Sequence, residues 1–282
     1  MSYTLNEMFD LMDIEIHDES GNVFADKLKL SWLNSAQDHM LSRVNGQYVT
    51  ELHELDAAET PTTGVYATSG LTYSIYRKHL GIMGVKVAGG VFCDYITFEQ
   101  YKRYVSDGYT FVATAPKYYT RKASVYLYPT SIASIDVYYM REPVDMVQDV
   151  ASGSIADGKT YTVNNYTTVV YPKTTGTTYT DGESFTGSTS DGTDYDVTGT
   201  GTVTVDCELE DEIQEMILDY AKHLACLTQR DATNSAINKA NAYERADIIN
   251  HKVDMERSSY RDSSRTAWTS YERDPLTGGG DR

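Results

Sequence analysis

The residues able to do acid–base or metal chemistry are scattered along this chain and form no catalytic spacing. Its six histidines make no HxxxH or HExxH pattern, and a zinc site at His223 and Cys226 would need at least two more ligands. The sequence also lacks a GxSxG elbow and a Walker motif. We therefore predict a protein that is not an enzyme, with no catalytic residues, no metal ligands and no cofactor.

Two groups of acidic side chains invite a chemical interpretation. Asp191, Asp194 and Asp196 suggest calcium, but the EF-hand order of acids, glycine and a late glutamate is missing. The acids from Glu208 to Glu212 begin a predicted helix, where they suit the positive end of the helix dipole. Two carboxylates brought together by folding would suit a glycosidase, so an enzyme acting on cell-wall glycan stays open as an alternative.

Composition excludes several classes of protein. The 282 residues carry a formal charge of -17, which repels nucleic acid phosphates and argues against sequence-specific DNA binding. Three distant cysteines, Cys93, Cys207 and Cys226, fit buried thiols rather than a disulfide framework. No signal peptide or membrane span is evident, so we expect a soluble protein without membrane contact, made in a cytoplasm.

One compact basic and aromatic cluster stands out against this acidic background. Lys117, Arg121 and Lys122 surround two tyrosines and are candidates for contact with a DNA backbone. The simpler interpretation, which the overall charge favours, is a hairpin tip with solvated charges.

Two helical hairpins are predicted, one toward each end of the chain. Near the N-terminus, Thr4 and Glu7 have the spacing of a capping box, and Asp26 is placed to cap a second helix. Residues 208–256 are predicted to form two long helices, with Asp231 capping the second. The apolar stripe of that last helix is predicted to consist of Ile237, Ala240, Tyr243, Ile248 and Met255.

Alternating side chains predict strands between the hairpins. Candidate strands are residues 48–52, 109–115, 124–128 and 132–140, and the last two are predicted to pair as an antiparallel hairpin. Residues 97–105 fit a short helix capped by its threonine. From 152 to 206 the chain is rich in Thr, Gly, Ser, Asp and Tyr and has no leucine or methionine, which indicates a small all-β insert.

The predicted fold class is therefore α+β, with a mainly α-helical bundle core and a small antiparallel sheet. Residues 1–150 and 207–256 form that core, and residues 151–206 form an inserted β subdomain. The polar residues 257–282 form an extended tail that is disordered or becomes ordered against a partner. Tyr260, Trp268 and Tyr271 are its predicted anchors for that partner, together with Arg261 and Arg265.

Three stretches in this order resemble the head-to-tail adaptor (connector) proteins of tailed bacteriophages. The first is the helix containing Leu33-Asn34-Ser35-Ala36-Gln37, similar to an "LNxAQ" helix in those proteins. The second is Val125 to Pro143, with its "LYP" and "VYYMREP" ends. The third is the "ELEDEIQEMILDYAKHLA" helix from Glu208, followed by a helix rich in Ala and Asn. Tyr179 to Gly187 is similar to small β inserts of phage virion proteins.

The resemblance implies a structural protein of the virion, made in the bacterial host cytoplasm and placed at the head–tail interface. It implies a ring of about twelve copies docked on the portal protein and joined to other tail or connector proteins. Double-stranded DNA would pass through the lumen without specific binding, and an acidic lumen suits that passage. Residues 257–282 would dock on the portal. The alternative is another tail or decoration protein whose β insert binds a partner or a glycan.

Overall fold

The structure is a computed structural model that describes residues 3–15, 24–44, 48–68, 81–122, 124–174 and 176–268. Within these residues the chain forms five α-helices and eleven β-strands. The helices are α1 (Leu5–Glu15), α2 (Asp26–Leu41), α3 (Phe98–Ser106), α4 (Asp211–Gln229) and α5 (Ala232–Trp268). The strands are β1 (His53–Glu59), β2 (Val65–Ala67), β3 (Ile82–Val87), β4 (Asp94–Tyr95), β5 (Lys117–Thr120), β6 (Ser124–Tyr128), β7 (Ile135–Met140), β8 (Thr160–Tyr171), β9 (Thr177–Tyr179), β10 (Ser184–Thr186) and β11 (Asp196–Thr204).

The strands form three separate sheets. The first has the order β1-β7-β3 and is antiparallel throughout. The second has the order β2-β6-β5-β4, with β4 parallel to β5. The third has the order β10-β8-β11, and β9 also pairs with β8. The first two sheets share one apolar core, which includes Val125, Leu127, Ile135 and Val137.

This strand content corrects the prediction of a mainly helical bundle core with a small antiparallel sheet. The chain is strand-rich, and the predicted β6–β7 hairpin is wrong, because β6 pairs with β2 and β5 while β7 pairs with β1 and β3. Residues 48–52 hold a short 3-10 turn at Thr50–Leu52, and β1 begins only after it. Residues 109–115 form no strand, because the rings of Tyr109 and Phe111 pack on each other and on Tyr104 of α3.

The helices α1, α2, α4 and α5 form a helical body around a separate apolar core. Capping sets two of its helix starts. The backbone N–H of Thr4 donates to the Glu7 carboxylate at 2.8 Å, and Asp231 accepts from the backbone N–H groups of Thr233 and Asn234, as predicted. Asp26 caps nothing: it is the first residue of α2, and its carboxylate accepts from the side chain of Gln148 at 2.7 Å.

Residues 151–206 hold the four consecutive strands β8 to β11, as the composition predicted. Their sheet encloses a third core, with Val163, Val169 and Val203 fully buried. The ladder continues beyond the insert, because Val147 and Val205 exchange backbone hydrogen bonds of 3.0 and 2.8 Å.

The C-terminal region differs from the predicted extended tail. Helix α5 continues through residues 257–268, so the backbone here is helical and not extended. Residues 269–282 lie outside the described residues.

Candidate protein interface

Three stretches that are distant in sequence meet at one hydrogen-bonded junction. The side-chain amide of Asn34 on α2 donates to the Met146 carbonyl at 3.1 Å, and its oxygen accepts from the Met146 N–H at 3.0 Å. One turn further along α2, the Gln37 amide donates to the Val144 carbonyl at 3.1 Å. Two polar side chains of α2 therefore fix the backbone that leads from β7 toward the insert.

An arginine–carboxylate pair completes this junction. Arg141, which follows β7, donates from both terminal nitrogens to Glu208 at 2.7 and 2.6 Å, and this hydrogen bonding raises the pKa of Arg141 above its usual range. Glu208, which precedes α4, also accepts from the Val144 N–H at 2.8 Å. A forked guanidinium matches a carboxylate in this two-bond geometry, so the pair sets orientation as well as charge.

A surface on α3, β5 and β6 is made of packed aromatic rings. Val125 and Leu127 of β6 face the core, as the alternation predicted, and place Tyr126 and Tyr128 on the opposite face of the sheet. Helix α3 lies over that face, with the Tyr101 ring 4.7 Å from Tyr128 and 5.0 Å from Tyr119 between centroids. A capping box between Thr97 and Gln100 fixes the start of α3, as its threonine predicted.

Much of this aromatic layer remains open to solvent. Helix α3 contains no buried residue, and Val105, Tyr109 and Val112 are 54%, 43% and 45% exposed. Burial and hydrogen bonds with Tyr101 and Tyr119 raise the pKa of Tyr128, so its phenol stays neutral and is no nucleophile at neutral pH. The layer offers apolar contact area with polar tips, which is typical of protein interfaces.

Cations surround these rings. The Lys102 Nζ lies 4.7 Å from the Phe98 centroid, and the Arg121 guanidinium carbon lies 4.6 Å from the same centroid. Arg103 and Lys122 are also exposed. We call this set, α3 with residues 109–112 and 117–122, the aromatic–basic surface.

The predicted DNA-contacting residues belong to this surface but form no free basic patch. Lys117 opens β5 and pairs with Asp94 at 3.1 Å, with only 14% of its side chain exposed. Arg121 packs on Phe98, and Lys122 occupies the turn before β6 with a positive φ of 50°. The structure therefore places Lys117 at the start of β5 and Arg121 and Lys122 directly after its end, and it gives the first two protein partners.

A second exposed apolar surface runs along the outside of α5. The sequence predicted an apolar stripe of Ile237, Ala240, Tyr243, Ile248 and Met255 on this helix. Tyr243 does pack against the core of the helical body, but Ile237 and Ile248 are 52% and 50% exposed. The side chain of Met255 lies outside the described residues. The stripe that packs on α4 lies on the other side of α5 and consists of Ser235, Asn238, Ala242, Ala246 and Ile249. Helix α5 thus buries one side against α4, and the apolar side chains of Ile237 and Ile248 on its other side stay exposed.

A shallow groove of about 550 Å³ lies along this outer side. Among its lining residues, Glu244 and Asp247 are exposed carboxylates beside Ile248 and Ala240. Lys252, at the end of the groove, is already bound to Glu212 at 2.5 Å. We call the exposed residues Ile237, Ala240 and Ile248, together with Glu244 and Asp247, the outer α5 surface.

A cleft lies where the insert, the junction and the start of α1 meet. It has a volume of about 1160 Å³, and its lining includes Asp38, Glu142, Asp145, Asp157 and Lys159. Burial raises the pKa of Asp38, and the carboxylates of Asp145 and Glu142 raise it further. This cleft is acidic, and among the described residues no group of His, Cys, Asp or Glu is arranged to hold a metal ion.

The predicted portal-binding residues fall into two groups. Tyr260, Arg261, Arg265 and Trp268 lie on the last turns of α5. Tyr271 lies outside the described residues.

The three cysteines are buried free thiols, as predicted, and burial raises the pKa of Cys207 to about 12. Within the described part of the chain, no helix is both long and apolar enough to cross a membrane. Comparison with protein-family models and with curated proteins finds no match to this chain.

Proposed function

We propose that this chain is a structural subunit of the head–tail connector of a tailed bacteriophage. Copies form a ring that docks on the portal protein and joins it to the tail, and double-stranded DNA passes through the lumen. The observation that carries the proposal is the junction. All three stretches that resemble connector proteins contribute to it: Asn34 and Gln37 from the first, Arg141 from the second, and Glu208 from the third.

The surfaces of the chain support assembly into a closed ring. A head-to-tail ring needs two different patches on each copy, one for each neighbour. The aromatic–basic surface and the outer α5 surface are two such patches, on elements that belong to different apolar cores. The charge of -17 suits a lumen along which DNA slides without sticking.

The end of α5 is the proposed contact with the portal. Alanines in the α4–α5 hairpin keep it slim, and α5 is 37 residues long, well beyond the 19 residues of α4. A helix of this length spans about 55 Å, so its last turns extend past its partner. We propose that residues 257–282, with Tyr260, Arg261, Arg265, Trp268 and Tyr271, dock on the portal.

Mass photometry of the chain, alone and mixed with the portal protein of the same virus, tests the proposal. The expected result is a mixed species with one ring of copies per portal. Deletion of residues 257–282 is expected to abolish that species and leave the rest of the chain folded. Lack of association across several salt and pH conditions would overturn the connector function and favour a tail or decoration protein.

Unchanged portal binding by the deletion variant would overturn only the role of the tail. A peptidoglycan or polysaccharide hydrolysis assay on the same sample addresses the enzyme alternative. Activity lost on substitution of one acidic pair would favour that alternative.

A further inference from the structure

We propose that the aromatic–basic surface of one copy docks on the outer α5 surface of a second copy of this chain. The inference rests on the proposed ring and names the two faces that join its neighbours. Both faces are exposed in the single chain, and each offers what the other lacks.

The apolar parts of the two surfaces are complementary. The aromatic–basic surface presents exposed apolar side chains at Val105, Tyr109 and Val112. The outer α5 surface presents a shallow groove whose lining includes Ala240 and Ile248. A small residue between isoleucines lets a neighbouring ring approach the helix closely, so docking removes apolar area of both faces from water.

The charges are complementary as well. The segment from Phe98 to Lys122 contains five cations (Lys102, Arg103, Lys117, Arg121, Lys122) and two acids (Glu99, Asp107). Its balance is +3, or +2 when the Asp94 partner of Lys117 is counted, in a chain of -17. No other protein of opposite charge is needed, because the rest of this chain supplies the acids. Long-range attraction therefore favours a second copy as the occupant.

The outer α5 surface is the acidic apolar face that fits. Glu244 and Asp247 have no ion pair within the described residues, whereas nearby cations are engaged: Arg245 with Glu215 and Asp219, and Lys252 with Glu212. On the other face, Arg103 and Lys122 have no ion pair within the described residues. Docking would give both sets of unengaged charges a partner.

A charge-exchange experiment tests this pairing. Variant A carries Arg103→Glu and Lys122→Glu, and variant B carries Glu244→Lys and Asp247→Lys. Each variant alone places like charges at every contact and is expected to self-associate at least about tenfold more weakly than wild type at low salt. An equal mixture restores association, because A and B alternate and every contact again joins opposite charges.

Sedimentation velocity gives the readout, at chain concentrations up to about 0.5 mM, which reaches weak affinities. Lys27→Glu with Lys173→Glu is the control, with the same change in net charge on exposed positions outside both surfaces. It also removes the exposed ion pair of Lys173 with Asp196. It is expected to behave as wild type. The proposal is overturned if wild type stays monomeric over this range, if the control weakens as much as A, or if the mixture does not recover.

An apolar pair of variants tests the groove independently of charge balance. Ile248→Asp is expected to weaken self-association at least about tenfold, since a carboxylate replaces an apolar side chain that lines the groove. Ile14→Asp is its control, because Ile14 is an exposed isoleucine of α1 with 62% exposure outside both surfaces. Equal effects of the two substitutions would contradict the proposal.

The outcomes separate this inference from the connector function. If variants A and B each still form rings on the portal, the connector function is retained and the proposed interface is overturned. If self-association is lost in A and in B and restored in their mixture, but the chain never binds the portal, the interface is supported and the connector function is overturned.

Discussion

The insert and the middle region, residues 48–140, are both built of strands, but the middle region depends more on pairing between strands that are distant in the chain. In the insert, β8 pairs with β9, β10 and β11, which follow it directly in the chain. In the middle region, β7 pairs with β1, so that His53 lies opposite Met140. Local pairing leaves turn signals in the sequence, whereas pairing across the whole region leaves none.

The two regions also differ in how they join the helical body. The middle region ends in Arg141, which reaches Glu208 at the start of α4, and Met140 packs in the core of the helical body. The insert has a core separate from that of the helical body, to which Val150 of the preceding stretch also contributes. Its last residue, Asp206, accepts from the backbone N–H of Leu5 at 3.1 Å. We infer that the middle region unfolds together with the helical body and that the insert can unfold by itself.

Substitution of Arg141 tests this coupling and has the largest expected effect. Arg141→Met removes two charge-assisted hydrogen bonds to Glu208 and is expected to lower the free energy of unfolding by about 3 kcal/mol. Arg141→Lys keeps the charge without the fork and should cost less. Chemical denaturation measures both, and equal losses for the two variants would show that the fork geometry contributes nothing.

A matched pair of valines tests whether the two regions unfold separately. Val137 in β7 and Val163 in β8 are both fully buried, in the central strands of their sheets. Each change to alanine is expected to cost about 2 kcal/mol. In hydrogen exchange, Val137→Ala should reduce protection in the middle region and in α4, and Val163→Ala in the insert alone. Loss of α4 protection in Val163→Ala would contradict the independence of the insert.

The sequence predicted elements whose signals are local. The capping residues Thr4, Thr97 and Asp231 mark three helix starts correctly, because each cap involves only residues two or three positions away. Asp26 has the same residue type as Asp231 but is no cap, since α2 begins at Asp26 itself and its carboxylate contacts Gln148, 122 residues later, and Lys29. Tertiary contacts thus decide what a local signal leaves open.

The candidate surfaces were only partly predictable for the same reason. Apolar spacing identified Ile237 and Ile248 as one stripe, but it could not reveal that the alanines at 242 and 246 form the buried one. Small residues at four-residue spacing were the available signal, because they allow the close packing of α4 and α5. The basic cluster at Lys117 was visible, but its ion pair with Asp94 depends on the pairing of β4 with β5.

The cap of α5 gives a smaller effect, confined to the helical body. Asp231→Ala removes the acceptor for the backbone N–H groups of Thr233 and Asn234 and is expected to cost about 1 kcal/mol. Asp231→Asn should retain most of the stability, because asparagine is an equally good cap. Denaturation monitored by helical circular dichroism measures the difference, and equal losses for both variants would argue against capping.

The smallest expected effect is a pH dependence that the insert does not share. Burial lowers the pKa of His39 below its ordinary value of 6.5, and Arg43 and Lys239 lower it further. Burial also lowers the pKa of His223. The neutral rings are therefore favoured in the folded state, so their contribution to stability is present above pH 6.5 and is lost as the pH falls through the folded-state pKa values.

The contrast with the insert makes this effect measurable, because residues 151–206 contain no histidine. Between pH 7 and pH 5.5, protection from hydrogen exchange, corrected for the intrinsic rate, should fall in α4 and stay constant in β8. His39→Gln combined with His223→Gln should flatten the pH dependence in α4. His39 stacks on Tyr220 at 4.3 Å between centroids, so a lower stability with an unchanged pH slope would assign the histidine to packing alone.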